Sequence, residues 1–512
     1  MFRFGIRLTA RRSIPSLRLS TTRYYNYSHF QTLHSGPSKF SRFIKLNLWI
    51  VSCTAFAYYM WWPKHTFPSP VAKHLRKGLW AESDKGEKDY QLALKHYLEA
   101  LEECGKLKVD PLSDEYTGIQ LKIGEMYERM DRTEEAAFIY NEIATLYLSV
   151  LKAAPNSPLG LRIHGSVHRA HLIQKDLRIA LKLVELNRLN PLLSKAILIT
   201  HLLIAQEEVN KRLGAAADTV SLMDSGDLLA QKSSHSSTEA QKLLSQLGKG
   251  TEDTNESMQT PIVLETNPEA WEPFTEEFFN AMDILSAICI SVGDVETASG
   301  IRISMASKML IAGVSPERLI LAQCNTASLL YFQAEQLQAQ ELKLRKQFAE
   351  LAEVDHEKLK SIHDHLHPLT IGEEEAQEIK GKINDKVTKQ EKEAYEQIVR
   401  NKDELLKMVV AIYESVIEGS KQLPQEVVQE NTIISESVAL ATYGLGVVNL
   451  HLADYDIAER FLREARVRSR RCGYDALITE IERELNKLFE ERKLVNAKKR
   501  DEDVQLDIHF AN

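Results

Sequence analysis

The chain reads as an all-α protein: a solenoid of helical hairpins carrying insertions, preceded by a single transmembrane helix. Three observations lead there. Its 512 residues include only 22 Gly and 15 Pro, and the abundant Ala, Leu, Glu, Lys and Gln lose little rotamer freedom in a helix. Pairs of small residues twelve apart recur along it. A 17-residue stretch near the start carries no charge and is flanked by basic residues. With 44% hydrophobic residues the chain has enough apolar material for a large core, which excludes a wholly disordered or collagen-like polymer. Its five cysteines are far apart, with no CxxC and no Cys/His cluster of zinc type, so neither a disulfide scaffold nor a zinc module is expected.

The first elements are an address and an anchor. Residues 1–64 hold ten basic and no acidic residues, whereas the other 448 hold 54 basic against 72 acidic. Residues 1–30 are rich in Arg, Ser and Thr, with Arg3, Arg7 and Arg11 on one helical face and Phe2, Ile6 and Ala10 beside them. That is the composition of a mitochondrial transit peptide, and Arg23-Tyr24-Tyr25 resembles a matrix-processing signal. Residues 31–45 form a basic matrix-side segment. Residues 46–62 then suffice for a short spanning helix, which needs about 17–25 residues. Tyr58, Tyr59, Trp61 and Trp62 supply an aromatic belt at its far end. By the positive-inside rule the N-terminus stays in the matrix and the acidic bulk enters the intermembrane space.

Helical hairpins follow. In the first helical region, 63–213, Gly124, Tyr127, Ala136, Tyr140 and Ile143 have the spacing of a tetratricopeptide hairpin, with small residues where two antiparallel helices cross. The small pair twelve apart, with its residues four and seven further on, recurs in Ala81, Tyr90, Ala93, Tyr97 and Ala100, and in Gly446, Tyr455, Ala458, Leu462 and Ala465. Ser286 and Ala298 form a weaker copy. A helix around Asn325–Phe332 pairs with one around Tyr413 across a long intervening segment. Further helices are expected over Asp176–Asn187 and Leu192–Leu213. The remaining divisions are a mobile polar insertion at 214–262, a second hairpin region at 263–345, a charged helical insertion at 346–403, a C-terminal repeat region at 404–490 and a polar tail at 491–512. A capping helix is expected near Ala476–Arg500.

No catalytic, cofactor-binding or metal-ligating set is read from this sequence. It contains no GxxxxGK[ST], HExxH, GxSxG or GxGxxG. His363, His365 and His367 are spaced so that a helix would point them apart, and they read as a solvated stretch. The net-acidic folded part disfavours nucleic acid. Candidate peptide-contact residues are Lys122 and Asn141, from an incomplete basic clamp, and Trp271 and Phe274, from the aromatic string Ala270–Phe279; the alternative for those rings is packing at the entry to a repeat helix.

The strings LWAESDK (79–85), LSDEYTGIQLKIGEMYE (112–128), LLIAQEE (202–208), AWEPFTEEFF (270–279) and ALATYGLGVVNLH (439–451) resemble the fungal tetratricopeptide adaptor subunits of the mitochondrial inner-membrane i-AAA protease. The resemblance runs over about residues 40–490. It implies a non-catalytic subunit without cofactor, anchored in the inner membrane by one helix. Its implied partners are the protease catalytic subunit, a small membrane protein and unfolded polypeptides bound for degradation. Two other uses of an anchored solenoid stay open on the residues alone: a scaffold for assembling another inner-membrane complex, and an outer-membrane import receptor.

Overall fold

A computed structural model describes residues 67–214, 266–353 and 386–509, apart from 87, 425, 427 and 429–430, together with positions 49, 52–54, 378 and 381–383. The side chains are described up to Lys493, apart from that of Ala352. The chain divides into a unit at Met1–Thr66 and a unit at Phe67–Asn512. Within 46–62 only Trp49 and Ser52–Thr54 are described, all helical and exposed; the rest of the expected anchor, the transit peptide, the His363–His367 stretch and nearly all of the 214–262 insertion lie outside the described residues.

Among the described residues of the larger unit the regular structure is entirely helical. The elements are α1 (Ser69–Glu82), α2 (Tyr90–Lys106), α3 (Asp114–Arg129), α4 (Thr133–Leu151), α5 (Gly165–Leu186), α6 (Pro191–Leu213), α7 (Thr275–Val292), α8 (Val295–Ile311), α9 (Pro316–Ala352), α10 (Lys389–Gln422), α11 (Thr432–His451), α12 (Tyr455–Cys472) and α13 (Asp475–His509). Their starts follow from local chemistry. Asp89 accepts from the backbone N–H groups of Gln91 and Leu92, Ser113 from that of Tyr116, and Thr388 and Glu391 form a reciprocal capping box. Gly293 and Gly473 end α7 and α12 with left-handed φ values of 87° and 74°, which a side chain would oppose.

Each helix packs on the next in the chain, and α5 on α7, α9 on α11 and α11 on α13 as well. Odd-numbered helices thus form one layer and even-numbered helices the other, the arrangement of a solenoid whose units contact only their neighbours. The hairpins cross where side chains vanish. A Cβ at Gly124 would lie 2.6 Å from the Tyr140 ring, and one at Gly446 would lie 2.7 Å from Leu462. Tyr97 packs against Gly78, and Tyr413 against Gly444 on α11. Ala81, Ala93, Ala100, Ala136, Ile143, Ala298, Ala458 and Ala465 are buried at the same crossings, while Tyr90, Tyr127 and Tyr455 are partly covered at their edges. In α7–α8 the residue facing the small position is Arg302, whose Nε donates to Ser286 Oγ at 3.0 Å.

Several boundaries differ from the sequence expectation. Helix α5 starts at Gly165, eleven residues before Asp176, because HGSVHRAH shows no apolar stripe although Ala170, Leu172 and Ile173 are buried. The described parts of 346–403 are not a separate insertion. They are the outer arms of the α9–α10 hairpin, held by Phe348 packing on Tyr395 and by Glu341 accepting from Lys402 at 2.7 Å. The α13 helix continues to His509 through the expected polar tail. Helix α11 is long and apolar enough to cross a membrane by length and composition, yet it packs against α9, α10 and α12 with Ile434, Ala441, Leu445 and Val448 buried. That makes it a core helix of the C-terminal hairpins.

Candidate functional site

Charged residues join successive helices of the odd layer into a ladder. Glu82 at the end of α1 accepts from Lys122 at 3.1 Å and lies 3.2 Å from Arg129, both on α3. Glu128 on α3 pairs with Lys182 on α5 at 2.8 Å, and Asp114 with Lys175. Glu277 on α7 accepts from Arg178 at 2.7 Å and from Gln174 at 3.1 Å. Electrostatics agree with this mutual neutralisation. Burial pulls the Lys122 pKa down, but hydrogen bonds to Glu125 and Glu82 outweigh it and hold the ammonium above its usual value. Burial, then the hydrogen bond to Glu128, pushes the Tyr140 hydroxyl up.

This geometry disperses the four residues expected to touch peptide. Lys122 is already engaged by Glu82 and Glu125. Asn141 is exposed on α4, in the other layer, so the two do not form one clamp. Trp271 and Phe274 are 1% and 0% exposed. They cannot contact a peptide because they fill the core between α5, α6 and α7 with Phe278 and Phe279. The segment that carries them is fastened by Arg212 on α6. Its guanidinium donates to the carbonyl of Glu272 at 2.7 Å and stacks over the Phe274 ring at 5.6 Å. Buried Glu208 orients Arg212 at 3.1 Å and also accepts from Arg169 at 2.8 Å. His201 on α6 and Asp176 on α5 are joined at 2.7 Å, and burial raises the Asp176 pKa. Lys308 lies over the Phe278 ring at 5.8 Å, and burial lowers its pKa to about 8.

Two features escaped the sequence reading. Leu189, Leu192 and Leu193 are exposed at the α5–α6 turn, and Ile290 and Val292 are exposed before the α7–α8 turn. Lys195 and Asp294, paired at 2.8 Å, link these turns. Apolar side chains from two adjacent hairpins thus gather along one edge. The string RLNPLLSK contains the signal, three leucines around a Pro-started helix, but such a turn resembles any buried one until the packing is known. The second feature is a donor set. His74 on α1 and His96 on α2 each place Nδ1 beside the same oxygen of Glu99, at 2.9 and 3.0 Å. The i, i+3 spacing of His96 and Glu99 was visible, but their partner 22 residues upstream was not.

Two layers of hairpins with an interlayer core and a charge-laddered face define an all-α helical-repeat protein. Comparison with known proteins then gives the particular kind. The model of the MGR3 middle domain matches residues 157–314, the stretch that runs from just before α5 through the aromatic string to the end of α8. A Saccharomyces cerevisiae protein named mitochondrial inner membrane i-AAA protease supercomplex subunit MGR3 is 30% identical over 461 residues, covering 86% of this chain and 81% of the relative. A second protein of that yeast, named Protein MRG3-like, is 29% identical over 488 residues, covering 93% of this chain and 95% of the relative. The chain belongs to the MGR3 family. Among solved structures, a circular tandem repeat protein is similar over 84% of this chain and 91% of its own, at 14% identity and a TM-score of 0.21, an overlap too loose to bear on the fold.

Proposed function

We propose that this chain is a non-catalytic adaptor subunit of the mitochondrial inner-membrane i-AAA protease complex, binding unfolded or misfolded membrane-associated polypeptides through a tetratricopeptide-type solenoid and promoting their degradation. The observation that carries the reading is the 30% identity, sustained over 86% of the chain, to a relative named as a subunit of that supercomplex. In this reading residues 1–30 direct import and 46–62 anchor the chain in inner-membrane lipid. The N-terminus faces the matrix and the solenoid the intermembrane space, beside the protease catalytic subunit and a small partner membrane protein. The solenoid does no chemistry. The exposed edge of Leu189, Leu192, Leu193, Ile290 and Val292 gives weakly selective contacts to extended apolar segments. Anchoring beside the protease raises the effective substrate concentration there to about millimolar for short links.

The test is native electrophoresis of mitochondria solubilised in mild detergent, with protease protection of the intact organelle. The tagged chain is expected to migrate with the AAA protease, to resist external protease until the outer membrane is opened, and to lose co-migration when 46–62 is deleted. Migration with outer-membrane import components, or with a respiratory assembly intermediate alone, contradicts the reading.

A further inference from the structure

We propose that His74, His96 and Glu99 form a zinc-binding site that fastens α1 to α2. The three donor atoms lie within 4.8 Å of one another, and both imidazole Nδ1 atoms converge on Glu99 Oε2, at 2.9 and 3.0 Å. In tetrahedral zinc, bonds of about 2.0–2.2 Å set neighbouring ligand atoms about 3.3 Å apart. Each imidazole Nδ1 therefore needs to part from the Glu99 oxygen by only a few tenths of an ångström to admit the ion.

The backbone delivers this set without strain. His96 and Glu99 stand three residues apart on α2, so they share a face, and His74 comes from the antiparallel helix packed on that face. Two imidazoles and one carboxylate suit zinc; calcium and magnesium prefer all-oxygen sets. When Nδ1 binds the metal, each neutral imidazole carries its proton on Nε2, and the carboxylate stays ionised. The side chains are 26%, 16% and 35% exposed, enough for the ion to enter and for water to take the fourth position.

The position has a physical use. The α1–α2 pair is the first hairpin of the described solenoid. A metal tie across the hairpin adds to the packing between its two helices.

The test uses the full chain, purified in detergent without a polyhistidine tag and titrated with zinc against a chromophoric chelator. One equivalent is expected to bind, with a zinc-dependent rise in melting temperature. His74→Ala and Glu99→Gln are each expected to weaken that equivalent by at least about tenfold, as loss of supporting groups at zinc sites already does, and to abolish the melting shift, with helicity by circular dichroism unchanged. His168→Ala, in a different histidine group, is expected to bind zinc normally. Failure of the unaltered chain to bind one equivalent, or full affinity in both His74→Ala and Glu99→Gln, overturns the proposal.

Discussion

Tyr140 lies against Gly124 because nothing smaller than its ring would fill the hairpin crossing and nothing larger than hydrogen would admit it. An alanine at Gly124 puts a methyl where the ring carbons are, and the ring is buried among α3, α4 and α5, so it cannot swing away. Overpacking of this kind costs about 1–3 kcal/mol. Gly118, six residues earlier on the same helix, has open space where a Cβ would go. Gly124→Ala is therefore expected to lower the urea midpoint of the solenoid, whereas Gly118→Ala raises stability by about 0.5–1 kcal/mol through helix propensity. Equal effects of the two would show that the crossing is not the close contact described. At this scale the sequence was informative where a residue's role depends on its own hairpin: the small pairs twelve apart are local, and Tyr97, Tyr140 and Leu462 follow from them. It was uninformative where the partner is remote. Lys122 resembles a free clamp residue until Glu82, 40 positions away, is seen to hold it.

The helix expected over Leu192–Leu213 from its apolar spacing spans Pro191–Leu213, as α6. The helices misjudged had their apolar stripe diluted. Helix α5 opens with two histidines and an arginine in its first seven residues, and the arms of α9 and α10 are so charged that they resemble solvated insertions, although Glu341 and Arg345 are buried between them. Trp271 shows the same limit from the other side. An aromatic run after a polar stretch can be a surface patch or a plug, and only Arg212 reaching across from α6 decides for the plug. That contact gives a prediction. Arg212→Ala removes the donor to the Glu272 carbonyl and the cation over Phe274, and leaves Glu208 with Arg169 alone. Hydrogen exchange at 267–279 is expected to accelerate by about tenfold or more, the equivalent of ~1.4 kcal/mol of local stability. Exchange in α1–α3 should stay unchanged. Uniform acceleration along the chain would mean that Arg212 supports the fold globally rather than seating this segment.

Among the described residues of the larger unit, alternating layers convert thirteen separate helices into one continuous surface. The odd layer is closed by its own ion pairs, of which those between exposed groups are worth only about 0–1 kcal/mol each; they set the register of neighbouring hairpins more than the stability. The edge formed by the α5–α6 and α7–α8 turns is apolar and open, and it falls within the stretch matched by the MGR3 middle domain. All-helical architecture and the hairpin rhythm were legible from composition and spacing. The open edge was not, because exposure belongs to the packed molecule and not to any residue string. In the proposed role this edge delivers unfolded polypeptide to the protease. The most direct test of that role is pulse-chase turnover of an unfolded, inner-membrane-anchored reporter in mitochondria lacking the chain, resupplied with it, or resupplied with the combined Leu189→Ser, Leu192→Ser and Leu193→Ser variant. The expected result is slow turnover without the chain, restored by the natural sequence but not by the triple variant, which still co-migrates with the protease. Turnover that is the same in all three contradicts that role.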